Sequence, residues 1–347
     1  AAGHDVRILD CLVDQAHDAR PDVALPSGSR FYRGDIRDAA LVRDAAEGID
    51  GVFHLAAEVG VGQSMYEIER YVGANDLGTA TLMQQLIAHP PRRIVVASSM
   101  SVYGEGLYQA EDGSRIDNAA RRSPDLRQGV WDPVGPQGER LVPTPTDESK
   151  RPDLVSVYAL SKYAQEQLVR MVGAAYGIDT VALRLFNVFG PGQTLSNPYT
   201  GVLAIFAGRL LEGKAPLVFE DGLQRRDFVH VKDVVRAFRL AMEVPPASGA
   251  ILNIGSGRSH SIAQVARLLA RTMDREELEP RILSRARAGD IRHCFADISK
   301  ARQVLGFEPR LSLEDSIPDL VTWVRRQQAR DRVPHAHREL EERGLVV

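Results

Sequence analysis

Apolar runs with the character of buried β-strands alternate with helix-like stretches over the first half of the chain. The strand-like runs cover 5–10, 51–57, 92–99 and 179–188, and the helix-like stretches lie at about 38–47, 65–88 and 157–176. Strands that are apolar along their whole length are buried on both faces, and helices between such strands connect them in parallel. The sequence therefore predicts an α/β fold, with a doubly wound parallel sheet covered by helices on both sides.

The composition argues against several classes of function. The net charge of -3 gives no basic excess that would point to nucleic acid or an anionic membrane as a partner. Cys11 and Cys294 are the two cysteines and form no Cys-x-x-Cys pair, which disfavours a disulfide scaffold or a cysteine zinc site and is typical of the reducing cytoplasm. No apolar run reaches the roughly 18 residues of a membrane span. We therefore expect no membrane anchor. The histidines form no ligand cluster, so we also expect no metal site.

A tyrosine, a lysine and a pair of serines suggest where chemistry takes place. Tyr158 and Lys162 begin a helix-like stretch and, at positions i and i+4, share one face of the helix. A positive charge beside a phenol favours the phenolate and lowers its pKa, which would provide a base near neutral pH. Ser98 and Ser99 end a strand-like run, where a hydroxyl could polarise a substrate oxygen. The same residues could also be a packed tyrosine, a solvated lysine and a strand-end cap, so the surrounding motifs decide.

Asp10 closes the first strand-like run. In a dinucleotide-binding fold an acidic residue at this place accepts the ribose hydroxyls of NAD, and a glycine-rich turn lies roughly 20 residues earlier. That position falls before residue 1, so we expect the first strand and its glycines to be missing from this sequence and NAD binding to be poor in a chain made as written. The alternative is that Asp10 is a turn residue at the end of a strand.

Nine runs spread over most of the chain carry a more specific signal. They are VRILD (6–10), GDIRD (34–38), VFHLAA (52–57), SSMSVYG (98–104), YALSK (158–162), LRLFNVFGP (183–191), RRDFVHVKDV (225–234), LNIGSG (252–257) and RAGDIR (287–292). Together they resemble the extended short-chain dehydrogenase/reductase family, in its NAD-dependent nucleotide-sugar epimerase/dehydratase branch.

The resemblance implies a division of the chain. Residues 1–189 would form a Rossmann-type NAD-binding domain that carries a long insertion at about 105–150. Residues 190–347 would be mainly a smaller substrate-binding lobe, from which about 225–256 returns to the NAD domain. The insertion is rich in glycine, proline and charge, which favours an excursion over the surface, either a lid or a simple insertion.

The resemblance also assigns roles to individual residues. Ser99, Tyr158 and Lys162 resemble the catalytic triad of the family. The matches on the cofactor side, besides Tyr158 and Lys162, are Asp10, Asp35, Ile36, Leu55, Ala56 and Ala57. The matches on the substrate side are Asn187 for the sugar or its phosphate, Phe219 for the base, Arg226 and Arg287 for the diphosphate, and Cys294 beside the sugar. Phe219 and Cys294 could equally be core residues, and the two arginines could be ordinary surface residues.

The residues that follow Ser99 narrow the reaction. The 4,6-dehydratases of the branch carry an acidic pair here that performs the elimination, whereas this chain has Met100 and Ser101, which cannot act as acid and base. The decarboxylases keep a glutamate at the place of Ser101. What remains is a 4-epimerase, in which Tyr158 takes the O4 proton while NAD accepts the C4 hydride and returns it to the other face of the sugar.

Substrate and assembly follow from the resemblance alone. We expect a UDP- or dTDP-linked sugar, and the runs QSMYEIERYV and LSNPYTGV are similar to those of dTDP-L-rhamnose 4-epimerases. We also expect a homodimer that pairs the stretches at 65–88 and 157–176 with their copies. Two alternatives stay open: another NAD-dependent nucleotide-sugar oxidoreductase or rearranging enzyme of the family, and a non-catalytic sensor that binds NAD(P).

Overall fold

Parallel strands form the centre of the N-terminal half. The computed structural model describes residues 3–17, 25–135, 137–195, 197, 199, 201–327 and 333–346. In it, β1 (Arg7–Asp10) pairs with β2 (Arg30–Arg33), and a separate sheet has the order β13 (Ile251–Ile254), β8 (Asp179–Leu185), β4 (Arg93–Ser99) and β3 (Gly51–His54). Every pairing among these six strands is parallel. The predicted parallel α/β sheet is confirmed, while β2 was missed because arginines at both ends conceal its short apolar centre.

Strand β4 lies inside the larger sheet and is covered on both faces. All seven of its residues are buried. Ile94 and Val96 pack on one side, in a cluster that includes Val169, and Val95 packs on the other side with Phe238. Successive side chains of a strand point to opposite faces. The continuous apolar run of β4 is therefore explained by helices on both sides of the sheet.

Thirteen helices are present in the described part of the chain. They are α1 (Asp14–His17), α2 (Ala39–Ala46), α3 (Val61–Ser64), α4 (Ile68–Tyr71), α5 (Gly78–Leu86), α6 (Ser123–Arg127), α7 (Val157–Tyr176), α8 (Val202–Leu211), α9 (Val231–Glu243), α10 (Ile262–Thr272), α11 (Ser299–Leu305), α12 (Leu313–Val324) and α13 (Val333–Glu342). None of them is long and apolar enough to cross a membrane.

Helix α7 has the bounds that the sequence predicts, because both of its ends carry clear signals. The side chain of Ser156 accepts a hydrogen bond from the backbone N–H of Ala159 and caps the first turn. The helix ends at Gly177, whose φ of 69° lies in the left-handed region that glycine adopts without strain.

The stretch at 65–88, predicted as one helix, is interrupted. Between α4 and α5 the backbone forms a π-helix over Val72–Leu77. Within this wider turn the buried Asn75 accepts a hydrogen bond from the backbone N–H of Glu58 at 2.7 Å and donates one to the Ser161 hydroxyl at 2.8 Å. A π-helical turn often marks a functional site, and here it connects the end of β3 to α7.

The second half of the chain forms further short sheets and a separate apolar core. Strand β9 (Asn187–Phe189) pairs with β12 (Phe228–His230), β10 (Leu217–Val218) pairs with β15 (Arg281–Ile282), and β11 (Arg225–Arg226) lies between β14 (His260–Ser261) and β16 (His293–Cys294). Helices α8, α10 and α12 supply most of this core. Helix α9 packs instead with the parallel sheet. The division at residues 189 and 190 stays a prediction.

The insertion at 105–150 is a folded layer. It contains an antiparallel sheet of β5 (Leu107–Gln109), β6 (Arg115–Ile116) and β7 (Val142–Thr144), and a small core that includes Tyr108 and Leu141. A buried ion pair between Arg121 and Glu220 fastens it to the second half of the chain. Arg121 also pairs with Glu105 inside the insertion, and Glu220 also pairs with Arg292. The excursion expected from the sequence is therefore held in place by ion pairs whose partners cannot be read from the composition.

Candidate active site

The structure brings Ser99 and Tyr158 together at the end of strand β4. Ser99 is the last residue of β4, Tyr158 lies in the first turn of α7, and the Ser99 hydroxyl lies close enough to the Tyr158 phenol to lower its pKa. The backbone N–H of Tyr158 donates to the Ser64 hydroxyl at 3.0 Å, and the ring of Tyr71 meets the Tyr158 ring edge-on at 6.4 Å. The phenol is thus held from several sides.

The pKa of Tyr158 is shifted in the direction opposite to the one that the sequence predicts. Burial raises the pKa of its phenol, and the nearby Ser99 hydroxyl offsets this only in part. The expected lowering by Lys162 is not found, because the lysine amine donates instead to the side-chain oxygen of Gln165 at 2.7 Å. As the side chains stand here, the phenol keeps its proton at neutral pH.

The surroundings of Lys162 contain residues that sequence reasoning missed. Burial lowers the pKa of the Lys162 amine to about 7. Gln165 and Thr79 are buried beside it, and His54 is buried too, with a pKa that burial lowers to about 3, so that its ring is neutral. Gln165 lies one helical turn after Lys162 on the same face of α7, so the sequence spacing could have suggested this contact. The other partners of Gln165 are distant in sequence and could not have been found in this way.

The residues predicted on the cofactor side lie near the carboxyl ends of β1, β2 and β3. Asp10 ends β1, and its carboxylate accepts the backbone N–H of Leu12 at 2.8 Å while remaining partly exposed. Leu55, Ala56 and Ala57 follow β3, and Leu55 is 59% exposed although it is apolar. A carboxylate for ribose hydroxyls and an apolar wall suit the adenosine and nicotinamide ends of NAD.

Asp35 and Ile36 have structural partners of their own. The carboxylate of Asp35 pairs with Arg37 at 2.6 Å, and hydrogen bonding to that guanidinium lowers the Asp35 pKa. Ile36 packs against Gly78, where an added Cβ would come within 2.4 Å of the isoleucine side chain. Glycine at position 78 lets α5 approach this turn closely.

The residues predicted on the substrate side fall into two groups. Asn187 begins β9, and its side-chain oxygen is buried without a hydrogen-bond partner in the described part of the chain. A buried, unpaired amide oxygen is costly unless a ligand pairs with it. Arg226 and Arg287 converge on Asp290, at 3.9 Å and 2.9 Å respectively. Burial raises the pKa of Asp290, but Arg287, Arg226 and Arg121 together outweigh it and the net pKa is lowered.

Phe219 and Cys294 are enclosed by other parts of the chain. The guanidinium of Arg287 lies 4.5 Å over the Phe219 ring, and the ring of His337 on helix α13 lies 4.8 Å from it. Cys294 is 1% exposed and belongs to an apolar cluster with Met100, in which burial raises the pKa of its thiol to about 12. That Cys294 lies beside the sugar stays a prediction.

Two further predictions concern metals and the run at 195–202. Among the residues that the structure describes, no three His, Cys, Asp or Glu side chains are grouped so that they could hold a metal ion. Three residues of the run LSNPYTGV, at positions 196, 198 and 200, lie outside the described residues.

Comparison with known proteins identifies the family. The model of the NAD dependent epimerase/dehydratase family matches residues 1–124 and 133–255. The chain belongs to this family. A dTDP-L-rhamnose 4-epimerase of Burkholderia thailandensis is 36% identical over 324 residues, covering 91% of this chain and 87% of that relative.

Solved structures of the family agree in fold. The UDP-glucose 4-epimerase of Thermotoga maritima with UDP-glucose has a TM-score of 0.75 and 28% identity, covering 93% of this chain and 92% of the other. The UDP-glucose 4-epimerase of Thermus thermophilus in complex with NAD has a TM-score of 0.73 and 27% identity, covering 94% and 92%. The predicted resemblance, fold and cofactor class are confirmed.

Proposed function

We propose that the protein is an NAD-dependent 4-epimerase that acts on a nucleotide-diphosphate sugar. The observation that carries the proposal is the buried Tyr158, which lies beside the Ser99 hydroxyl and is followed one turn later by Lys162. Met100 and Ser101, which follow, offer no carboxyl group for elimination. The known 4-epimerases among its relatives support the same reaction.

The residues of this chain divide the reaction among them. Tyr158 removes the proton from O4 of the sugar, and the Ser99 hydroxyl polarises that oxygen. Because burial raises the Tyr158 pKa, the phenolate needs a positive charge nearby, which Lys162 supplies when it is protonated. When bound, NAD supplies the acceptor and donor of the C4 hydride. The sugar must turn between the two transfers, so the nucleotide rather than the sugar is held firmly.

Arg226 and Arg287 suit the diphosphate. Guanidinium groups pair well with phosphate oxygens, often in a bidentate manner. Both arginines now approach Asp290, so a diphosphate would compete with this carboxylate for them. Asn187 begins β9, shortly after β8 ends, and its unpaired side-chain oxygen supports a role in binding the sugar or its phosphate.

A substrate screen tests the proposal. Purified protein is incubated with NAD and with UDP-, dTDP- and GDP-linked sugars, and the products are separated by chromatography. We expect a C4 epimer from a UDP- or dTDP-linked sugar and none from the Tyr158→Phe variant. Stoichiometric release of NADH would favour a net oxidoreductase, and NAD binding without turnover would favour a sensor.

The homodimer and the cytoplasmic location belong to the same proposal. Apolar side chains on α4, the π-helix and α7 are exposed to solvent: Ile68, Val72, Leu77, Leu160 and Met171. Pairing of these helices with their copies would cover this surface, which is the usual isologous arrangement. Two cysteines, one of them buried with a raised pKa, are compatible with a reducing compartment.

A further inference from the structure

The Lys162 amine is held by a neutral group. Its hydrogen bond to the side-chain oxygen of Gln165 measures 2.7 Å, and both residues are almost completely buried. Glu166, the next carboxylate along the helix, is engaged elsewhere: it pairs with Arg184 at 2.7 Å and accepts the Ser98 hydroxyl at 2.7 Å. A glutamine oxygen thus holds the amine on which the phenolate of Tyr158 depends.

The orientation of the Gln165 amide follows from its partners. Its nitrogen donates to the carbonyl oxygen of Ala56 at 3.2 Å and to the Thr79 hydroxyl at 2.8 Å, and His54 lies at 3.2 Å. A backbone carbonyl only accepts, so the amide nitrogen must face Ala56 and the oxygen must face Lys162.

The Thr79 hydroxyl, which accepts the hydrogen bond from Gln165, is itself held by other contacts. Thr79 donates to the backbone oxygen of Asn75, within the π-helix, at 2.6 Å, and the ring of His54 lies 2.8 Å from the same hydroxyl. The chain of contacts therefore runs from the π-helix through Thr79 and Gln165 to Lys162. It also joins α7 to the end of β3, where Ala56 lies on the proposed cofactor path.

We propose that Gln165 is a positioning residue that keeps the Lys162 side chain protonated and in place for Tyr158. An ammonium group has three N–H bonds, so one can serve Gln165 while two remain for the cofactor and the phenol. The inference rests on the proposed function, because it assigns Lys162 the task of favouring the phenolate.

The hydrogen bond from Lys162 to Gln165 influences whether the amine is charged. Burial brings the Lys162 pKa to about 7, so the protonated and neutral amine are both populated near neutral pH. Hydrogen bonding to the charged form favours that form. The other titratable groups that act on this amine are Glu166 on the same helix, which favours the charge, and His54 on β3, which opposes it when charged but is neutral here.

Two substitutions at position 165 predict opposite shifts. Gln165→Met removes the acceptor, so the Lys162 pKa falls, and Gln165→Glu adds a negative charge, so it rises. Each shift should be about one pH unit. Activity requires the ammonium, so the fall of kcat/KM at high pH should move down in the first variant and up in the second. The control is Gln167→Met, because Gln167 lies on the same helix and contacts Glu166 weakly at 3.4 Å.

The titration is measured directly by ¹³C NMR of lysine labelled at the ε-carbon, with the Lys162 signal assigned by its loss in Lys162→Arg. We expect the midpoint to move in opposite directions in the two variants and to stay unchanged in the control. Unchanged midpoints, or shifts in the same direction, in folded variants overturn the proposal. The measurement needs no substrate: opposite shifts in a protein that epimerises no sugar would support Gln165 as the positioning residue while refuting the epimerase assignment.

Discussion

Replacing Arg292 with methionine should destabilise the protein strongly. The guanidinium is 1% exposed and pairs with Glu220 at 2.9 Å, Asp221 at 2.6 Å and Asp132 at 2.7 Å. Asp132 and Asp221 are partly exposed, so the loss of each pair costs at most about 1 kcal/mol. Glu220 is fully buried, and removing one partner of a buried ion pair typically costs about 3–5 kcal/mol. Because Arg121 still pairs with Glu220, we expect a total loss of about 3 kcal/mol.

Urea unfolding followed by circular dichroism measures this loss. The matched control is Arg115→Met, since Arg115 is exposed and pairs with Asp117 and Asp147 at the surface, where about 1 kcal/mol or less is at stake. Adding Glu220→Gln to Arg292→Met should recover part of the stability, because it removes the buried carboxylate that has lost a partner. If Arg292→Met were no more costly than the control, the reasoning about the buried network would be refuted.

Three further predictions follow from single residues. Tyr158→Phe should lower kcat about 100- to 10,000-fold while nucleotide affinity, measured by calorimetry, stays nearly the same, and retention of a tenth of the rate would remove its role as base. Burial raises the Asp76 pKa to about 6, so the charged carboxylate destabilises the native state at pH 7, and this cost disappears once the group is protonated below about pH 4. Asp76→Asn should therefore raise the melting temperature at pH 7, and the gain should vanish as the pH falls through 6 towards 4. A gain that is the same at every pH would contradict this. Replacing Met171, which is 60% exposed on α7, with glutamate should dissociate the proposed dimer. An unchanged mass in light scattering would exclude that surface as the dimer interface.

The sequence predicts the sheet and the tyrosine–lysine pair because both depend on local spacing. Strands β1, β3, β4 and β8 were found from their apolar runs, and α7 was found from its helical pattern. The contact between Lys162 and Gln165 has a visible helical spacing, but its effect depends on Thr79 and Ala56, which only the fold brings near. The phenol pKa was predicted in the wrong direction, since burial is a property of packing that a four-residue motif does not contain.

The insertion shows the same limit for charges. Its composition indicates a surface excursion, yet Arg121 is buried between Glu105 and Glu220, residues more than a hundred positions apart. Charge count alone gives no sign of which carboxylates meet which guanidinium groups. The π-helix at Val72–Leu77 was also missed, because its sequence continues the helical pattern on both sides.

The central claim is that Tyr158 removes the proton from O4 of the sugar and that the hydride taken from C4 returns to the same carbon. It is tested by incubating the protein with NAD and a UDP- or dTDP-linked sugar that carries deuterium at C4, and analysing the products by NMR and mass spectrometry. The account predicts a C4 epimer that retains the deuterium at C4, without accumulation of NADH, and no such product from Tyr158→Phe. Loss of the deuterium from the product, or an epimer formed equally well by Tyr158→Phe, would contradict it.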